Sequence, residues 1–273
     1  MTPLLSPADL DAITPLLVAF VAVLGLLIGS FLNVVVWRVP RGQSVVTPPS
    51  ACPNCGHRLA WWENIPVVSY LALRGRCSSC RRPISIRYPV VEAATCALFL
   101  ATALRFGISA DLPAFLYLAA IGVALTLIDI EHRRLPNSIV LPAYPVLAVL
   151  LVLAAVAKGD VERLVPTAIG GAALFAFYFT IAFVYPAGMG FGDVKLAGVL
   201  GLFLGWLGWG ALVVGAFSAF LLGGIFALIL LASRRVSRKG GIPFGPWMLV
   251  GAWVGILFGE RIAGAYLALI GLN

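Results

Sequence analysis

Long apolar runs follow one another through the chain and are separated by short polar or basic segments. Most of these runs approach the roughly 20 residues that an α-helix needs to cross the hydrocarbon core of a bilayer. The pattern predicts eight transmembrane helices, at about 13–37, 88–105, 111–130, 138–157, 165–185, 194–206, 209–232 and 244–266. The glycine-rich stretch 194–232 also fits a re-entrant segment, which would have to be buried in protein or line water.

The composition places the chain among membrane proteins. Hydrophobic residues make up 61% of it and charged residues only 11%, and the mean hydropathy is +1.03. A soluble domain cannot bury that much apolar surface, and the short alternating segments of a β-barrel are absent. We therefore predict an all-α polytopic membrane protein. No cleavable signal peptide is expected, because residues 1–13 lack Lys and Arg.

The net charge of +8 comes from basic residues in the loops, so we interpret it as a topology signal and not as a nucleic-acid surface. The only sizeable polar insert, 38–87, holds eight arginines against one acid, Glu63. By the positive-inside rule this loop is cytoplasmic, and eight spans then leave both termini outside. Anionic lipid is the expected partner of the loop.

Four cysteines in this loop form two CxxC pairs, Cys52 with Cys55 and Cys77 with Cys80. Two such pairs about twenty residues apart are typical of a closed structural zinc site with four thiolate ligands. Disulfides are the alternative, but they require an oxidising compartment. His57 is a possible competing ligand.

Two acids stand at the ends of apolar runs. Asp129 follows the run 119–128, and Asp193 ends the sequence Gly190-Phe191-Gly192-Asp193. In the predicted topology both lie at the cytoplasmic edge of the bilayer, where a carboxylate must be paired, wetted or protonated. Capping of the following helix is the structural alternative for Asp193.

Two carboxylates that share one proton can hydrolyse a peptide bond, because one polarises the carbonyl while the other accepts a proton from water. The sequence shows no serine-nucleophile motif, and neither a zinc-protease motif nor a phosphate-binding loop is present. For Glu92 we expect either pairing with a loop arginine or a functional role, and both remain open.

At this point the residues resemble a known family. Gly190-Phe191-Gly192-Asp193 with Lys195, preceded by Asp129 and Leu135-Pro136, is similar to the GxGD aspartic proteases of the type IV prepilin peptidase family. Four other segments also resemble recurrent segments of this family: the paired CxxC loop, Gly29-Ser30-Phe31-Leu32-Asn33, Arg87-Tyr88-Pro89-Val90-Val91-Glu92 and Ile242-Pro243-Phe244-Gly245-Pro246. Many members have Asp where this chain has Asn137, which we expect to cap the next helix equally well.

The resemblance implies a bifunctional enzyme of the bacterial inner membrane. Such an enzyme removes the basic leader of type IV prepilins or type II secretion pseudopilins on the cytoplasmic side, then methylates the new N-terminal residue with S-adenosylmethionine. Asp129 and Asp193 carry over as the catalytic dyad, and Gly190, Phe191, Gly192 and Lys195 as the active-site loop. The implied organisation is a first helix (1–37), a cytoplasmic zinc loop associated with methylation (38–87) and a membrane peptidase domain (88–273).

Two other classes of protein remain as alternatives. An ion-coupled transporter would use intramembrane acids as a relay, but it predicts acids near the bilayer midplane and two related halves. A scaffold organised by the zinc loop leaves Asp129 and Asp193 without a role. No Rossmann-type glycine signature for S-adenosylmethionine is visible, so the site of the methyl donor is unknown.

Overall fold

A computed structural model describes residues 7–186, 188–233 and 242–271, with side chains from residue 15 onward. Within these ranges the chain is almost entirely helical and contains no strand, only two isolated bridges in the loop after the first helix. The helices are α1 (Pro7–Arg38), α2 (Val68–Ala72), α3 (Arg87–Phe106), α4 (Leu112–His132), α5 (Asn137–Lys158), α6 (Leu164–Val184), α7 (Phe191–Leu207), α8 (Trp209–Ala232) and α9 (Gly245–Leu269).

The long helices coincide with the predicted spans, which confirms the polytopic all-α fold. Seven of them are long and apolar enough to cross a membrane within the described residues. The remaining predicted span, 194–206, corresponds to α7, whose 17 residues extend about 25 Å at 1.5 Å per residue. The uncertain stretch 194–232 forms two helices that are separated at Gly208, where φ is +135°.

The chain divides into two compact units, Met1–Ala124 and Leu125–Asn273. In the N-terminal unit, α1 packs directly on α3 because α1 carries small residues where the two backbones meet. A Cβ added at Gly25 would lie 2.8 Å from Cα of Cys96, and one at Gly29 would lie 2.7 Å from Cα of Glu92. Small residues on one helix allow the backbone of another helix to approach this closely.

Asn33 of α1 is buried in the same unit and uses its amide to join the two helices. Its Nδ2 donates to the carbonyl oxygen of Gly29 at 3.3 Å and to that of Tyr88 at 3.3 Å. Burying this amide without partners would be unfavourable by several kcal/mol. Backbone carbonyl groups of α1 and α3 thus satisfy this buried amide.

The C-terminal unit is assembled from two helix pairs, α6 with α7 and α8 with α9, that also meet at small residues. A Cβ at Gly170 of α6 would lie 2.9 Å from Cα of Gly205 in α7. A Cβ at Gly255 of α9 would lie 2.8 Å from Cα of Gly215 in α8. Lipid gives no hydrophobic drive for helix association, so such close backbone packing is a main source of cohesion.

The α8–α9 contact can be tested with two glycines of the same helix. We expect Gly255→Leu to destabilise the protein by about 2 kcal/mol or more, because the added side chain has to displace α8 backbone. Thermal unfolding in detergent measures the effect. As a control, Gly264→Leu should stay within about 0.5 kcal/mol, since a Cβ there meets nothing within 4 Å. Equal stability of the two variants would contradict this packing.

Candidate active site and cysteine cluster

Asp129 lies in the last turn of α4 and is only 5% exposed. Its Oδ2 accepts a hydrogen bond from the backbone N–H of Gly245 at 3.0 Å. Gly245 is the first residue of α9, and a Cβ there would lie 2.7 Å from the same oxygen. A glycine is therefore needed for this approach, and the positive end of the α9 dipole favours the carboxylate.

Asp193 is the third residue of α7, directly after the turn that starts the helix. Its Oδ2 accepts from the backbone N–H of Gly190 at 3.2 Å, and Gly190 is the N-cap residue. The capping geometry foreseen as the structural alternative is thus present. This hydrogen bond holds the Asp193 carboxylate beside the turn, and such a position is also compatible with a catalytic role.

The structure brings the two acids together within the C-terminal unit. The carboxylate of Asp193 lies close enough to that of Asp129 for the two charges to repel each other. The side chain of Leu135 lies close to both Gly192, next to Asp193, and Gly245, which binds Asp129. A Cβ at Gly192 would lie 3.1 Å from Cβ of Leu135, and one at Gly245 would lie 3.3 Å from its Cδ2.

The other residues of the predicted active-site loop flank Asp193 at the start of α7. Phe191 is 53% exposed, and Nζ of Lys195 lies 4.9 Å from the centre of its ring. The same Nζ donates to Oδ1 of Asn137 at 3.0 Å. The expected capping role of Asn137 is wrong, because Pro136 is the N-cap residue of α5 and Asn137 begins the helix.

Two neighbours of the site could not be identified from sequence. Tyr144 of α5 donates its hydroxyl to the carbonyl oxygen of Lys195 at 2.7 Å, which ties the first turn of α7 to α5. Tyr178 is 2% exposed and lies close enough to Asp193 to feel its charge. A tyrosine inside an apolar span gives no signal that separates these roles from ordinary packing.

Glu92 belongs to the N-terminal unit and is 7% exposed. Of the two alternatives left open for Glu92, pairing with a loop arginine is not what the structure shows: its Oε2 accepts from the backbone N–H of Val67 at 2.7 Å. The hydroxyl of Ser30 also hydrogen-bonds this carboxylate. Val67 has φ of +61°, a strained conformation for a β-branched residue that this bond helps to hold.

The four loop cysteines converge on one point. Their sulfur atoms all lie within 4.8 Å of one another, with Cys52 3.9 Å from Cys80 and Cys55 4.0 Å from Cys77. All four are free thiols, and these separations exceed the roughly 2.05 Å of a disulfide. A regular tetrahedron with metal–sulfur bonds of about 2.3 Å requires sulfur separations of about 3.8 Å. The residues therefore fit a metal site.

The two CxxC turns are built alike. The N–H of Cys52 donates to the carbonyl oxygen of His57, and that of Cys77 donates to Arg82, each at 2.9 Å. In both turns the residue four positions after the first cysteine, Gly56 or Arg81, has positive φ. Backbone N–H groups of the first turn lower the pKa of Cys52 to about 6, and those of the second turn lower the pKa of Cys77. Burial and the neighbouring thiols raise the pKa of Cys80 to about 11. The first two shifts favour the thiolate that binds metal.

His57 does not compete for the metal position, because it is bound to Glu63. Its Nε2 lies 3.1 Å from Oε2 of Glu63, and that oxygen also accepts from the N–H of Ala60 at 2.7 Å. Hydrogen bonds from Ser78, Ala60 and His57, in that order of importance, lower the pKa of Glu63. The single acid of the loop thus braces the segment between the two CxxC turns.

Fold and site together define a polytopic helical membrane protein with two neighbouring acids and a four-cysteine loop. Two family profiles match it: "Bacterial Peptidase A24 N-terminal domain" over residues 23–106 and "Type IV leader peptidase family" over residues 116–230. The chain belongs to this family of type IV leader peptidases. Both acids, Asp129 and Asp193, lie in the second of the two segments.

Several relatives named "Prepilin leader peptidase/N-methyltransferase" are similar over most of their length. The relative from Pseudomonas aeruginosa is 37% identical, over 92% of this chain and 93% of its own. Those from Pseudomonas putida and Neisseria gonorrhoeae are 35% and 37% identical, over 93% and 90% of this chain and 95% and 92% of their own. No solved structure matches the chain. These findings favour a peptidase over the transporter alternative.

The hydrogen bond from Tyr144 to the carbonyl oxygen of Lys195 should contribute measurably to the stability of the protein. We expect Tyr144→Phe to cost about 1 kcal/mol, the typical contribution of one hydrogen bond, because only its hydroxyl is lost. Tyr266→Phe removes a hydroxyl from an exposed tyrosine of α9 and should leave the unfolding temperature unchanged. Matching unfolding temperatures for the two variants would show that the Tyr144 bond does not form.

Proposed function

We propose that this protein cleaves the leader peptide from type IV prepilins or type II secretion pseudopilins and then N-methylates the new terminal residue. The observation that carries the proposal is the meeting of Asp129 and Asp193 in the segment matched by the leader-peptidase profile. The names of the relatives support both halves of the activity.

In the proposed reaction the two carboxylates share one proton and hold a water molecule against the scissile carbonyl carbon. The carboxylate form takes a proton from the water as the new C–O bond forms, while the protonated partner polarises the carbonyl oxygen. The C–N bond then breaks, and the leaving amine takes a proton from the dyad. The proton belongs to the pair and not to one of the two residues.

The structure suggests how the dyad keeps its geometry. The N–H of Gly245 fixes one oxygen of Asp129 and the N–H of Gly190 fixes one oxygen of Asp193. These two bonds use only one oxygen of each carboxylate, and in the proposed reaction the second oxygen binds water and substrate. Gly190, Phe191, Gly192 and Lys195 form the loop that shapes the site beside Asp193.

We further propose the bacterial inner membrane as the location, with both termini outside and the dyad at the cytoplasmic face. The arginine-rich loop supports this orientation, and a cytoplasmic site meets the scissile bond of a substrate whose basic leader stays in the cytosol. Anionic lipid, and not nucleic acid, is the expected partner of the arginines.

The cysteine cluster is proposed to hold one structural Zn²⁺ through Cys52, Cys55, Cys77 and Cys80. A closed site with four sulfur ligands has no open position, so its role is to fix the loop and not to catalyse. S-adenosylmethionine is the proposed methyl donor.

Asp129→Asn and Asp193→Asn test the dyad. Each variant should lower the rate of leader removal by at least about 100-fold, because an amide cannot exchange the proton that the reaction requires. The assay is cleavage of a co-expressed tagged prepilin, with the amount of enzyme in the membrane measured in parallel. Asp160→Asn, which alters an exposed acid paired with Arg163, is the control. Substantial cleavage by either dyad variant would refute the assignment.

Metal analysis of the purified protein tests the zinc site. The wild type should contain about one zinc per chain, and Cys52→Ser combined with Cys55→Ser should lose it, since two of four ligands are gone. Cys96→Ser changes the fifth cysteine, which lies on α3, and should keep the metal. Unchanged zinc in the double variant would end the proposal.

A further inference from the structure

Small residues set the register in which α6 and α7 pack against each other. A Cβ added at Gly205 of α7 would lie 2.6 Å from the carbonyl oxygen of Pro166 in α6, and one at Gly170 would lie 2.7 Å from that of Gly201. The two helices are therefore antiparallel, and four residues forward along α6 correspond to four residues back along α7. Residues four apart share one face of a helix, so the register can be followed along the contact.

Two further steps of four in this register place Tyr178 of α6 opposite Asp193 at the start of α7. The intermediate pair, Leu174 and Ala197, lines one small cavity together with Tyr178, so the register holds as far as this tyrosine. The charge of Asp193 also acts on the Tyr178 phenol. Helix packing and electrostatics thus both bring Tyr178 to one acid of the dyad.

The ring of Tyr178 reaches the helix start that serves the other acid. Tyr178 is 2% exposed, and its ring centre lies 5.3 Å from that of Phe220 in α8 and 6.3 Å from that of Phe244. Phe244 is the N-cap residue of α9. The next residue, Gly245, donates its backbone N–H to Asp129. One side chain therefore lies beside Asp193 and packs against the segment that binds Asp129.

The hydroxyl of Tyr178 distinguishes it from the rings around it. These rings belong to Phe177, Phe220 and Phe244, and a fourth phenylalanine would fill the same place without burying a polar group. A buried hydroxyl is unfavourable unless it has a hydrogen-bond partner. A carboxylate is a strong acceptor for a phenol, and Asp193 is the acid whose charge reaches this one.

We propose that Tyr178 is a positioning residue of the dyad, an inference that rests on the proposed peptidase reaction. Its ring holds Phe244 in place, and with it the N–H of Gly245 that binds Asp129. Its hydroxyl donates a hydrogen bond through one bridging water to the carboxylate of Asp193, and such a bridge is nearly as favourable as a direct bond. A donor stabilises the ionised carboxylate, so the dyad takes up its second proton only at lower pH.

The other groups around Asp193 come from every helix packed there. Besides the phenol of α6, Asp129 of α4 acts on it by charge, and the start of α9 contributes the backbone group that binds Asp129. Tyr144 of α5 donates to the carbonyl oxygen of Lys195, and the amine of Lys195 in α7 donates to Asn137. The dyad and the phenol are therefore the groups whose interaction a pH profile reports.

Tyr178→Phe removes the hydroxyl and keeps the ring. With full-length protein in nanodiscs and a purified prepilin, kcat should fall about tenfold with KM within about twofold of wild type. Both limbs of the pH–rate profile should move to higher pH, because an anion without its donor binds protons more readily. Tyr178→Leu, which also removes the ring, should lower kcat further and lower the unfolding temperature.

Two control variants separate this effect from a general loss of packing. Tyr117→Phe removes a hydroxyl from a half-buried tyrosine of α4, about 18 Å from Asp129 along the helix, and should keep both the rate and the pH profile. Phe220→Leu weakens the aromatic cluster without touching the phenol hydroxyl. It should lower the unfolding temperature and leave the limbs of the pH profile in place.

Infrared difference spectra measure the same hydrogen bond without substrate. The carboxyl C=O band of Asp193 is identified by its loss in Asp193→Asn, and it should move between wild type and Tyr178→Phe. Unmoved pH limbs together with an unmoved band would overturn the role of Tyr178 while leaving leader cleavage in place. A wild type that does not cleave prepilin would overturn the proposed function instead, and the band would still decide whether Tyr178 binds Asp193.

Discussion

A carboxylate at the edge of a bilayer must find hydrogen-bond donors, and in the C-terminal unit backbone at two helix starts provides them. Gly245 at the start of α9 donates to Asp129, and Gly190 at the start of α7 donates to Asp193. Because these donors are backbone groups, no neutralising side chain is needed beside the acids. The site can therefore keep two acids close to each other, and in the proposed reaction that closeness lets them share the proton that hydrolysis requires.

The position of those helix starts depends in turn on how closely the helices pack. Glycines at 170 and 205 let α6 and α7 approach backbone to backbone, and those at 215 and 255 do the same for α8 and α9. Leu135, against both Gly192 and Gly245, fills the space between the two helix starts. A side chain added at any of these glycines would meet backbone or side-chain atoms of a neighbouring segment at 3.3 Å or less, so the packing of the helices that carry the two donors depends on them.

Sequence reasoning succeeded where the physical signal is local. The spans followed from hydrophobic length and the cysteine cluster from CxxC spacing. Asp129 and Asp193 were singled out by the cost of an acid among apolar residues, and their catalytic role stays a prediction. Sequence reasoning failed where the partner is backbone far along the chain: Gly245 is 116 positions from Asp129, and an amide N–H gives no residue signal. The partner of Glu92 is likewise a backbone amide, that of Val67. Pro136 is the N-cap residue of α5, and the Asn137 side chain accepts a hydrogen bond from Lys195.

The most direct measurement of the central claim is the proximity of the two acidic positions in the folded protein. Asp129→Cys and Asp193→Cys are combined with Cys96→Ser, the zinc cysteines are left metal-bound, and a protease site is inserted after Gly159, between the two positions. A short thiol-specific crosslinker should leave the two protease fragments covalently joined, whereas either single cysteine should not. Fragments that separate in the doubly substituted protein would place the two side chains apart and contradict the account.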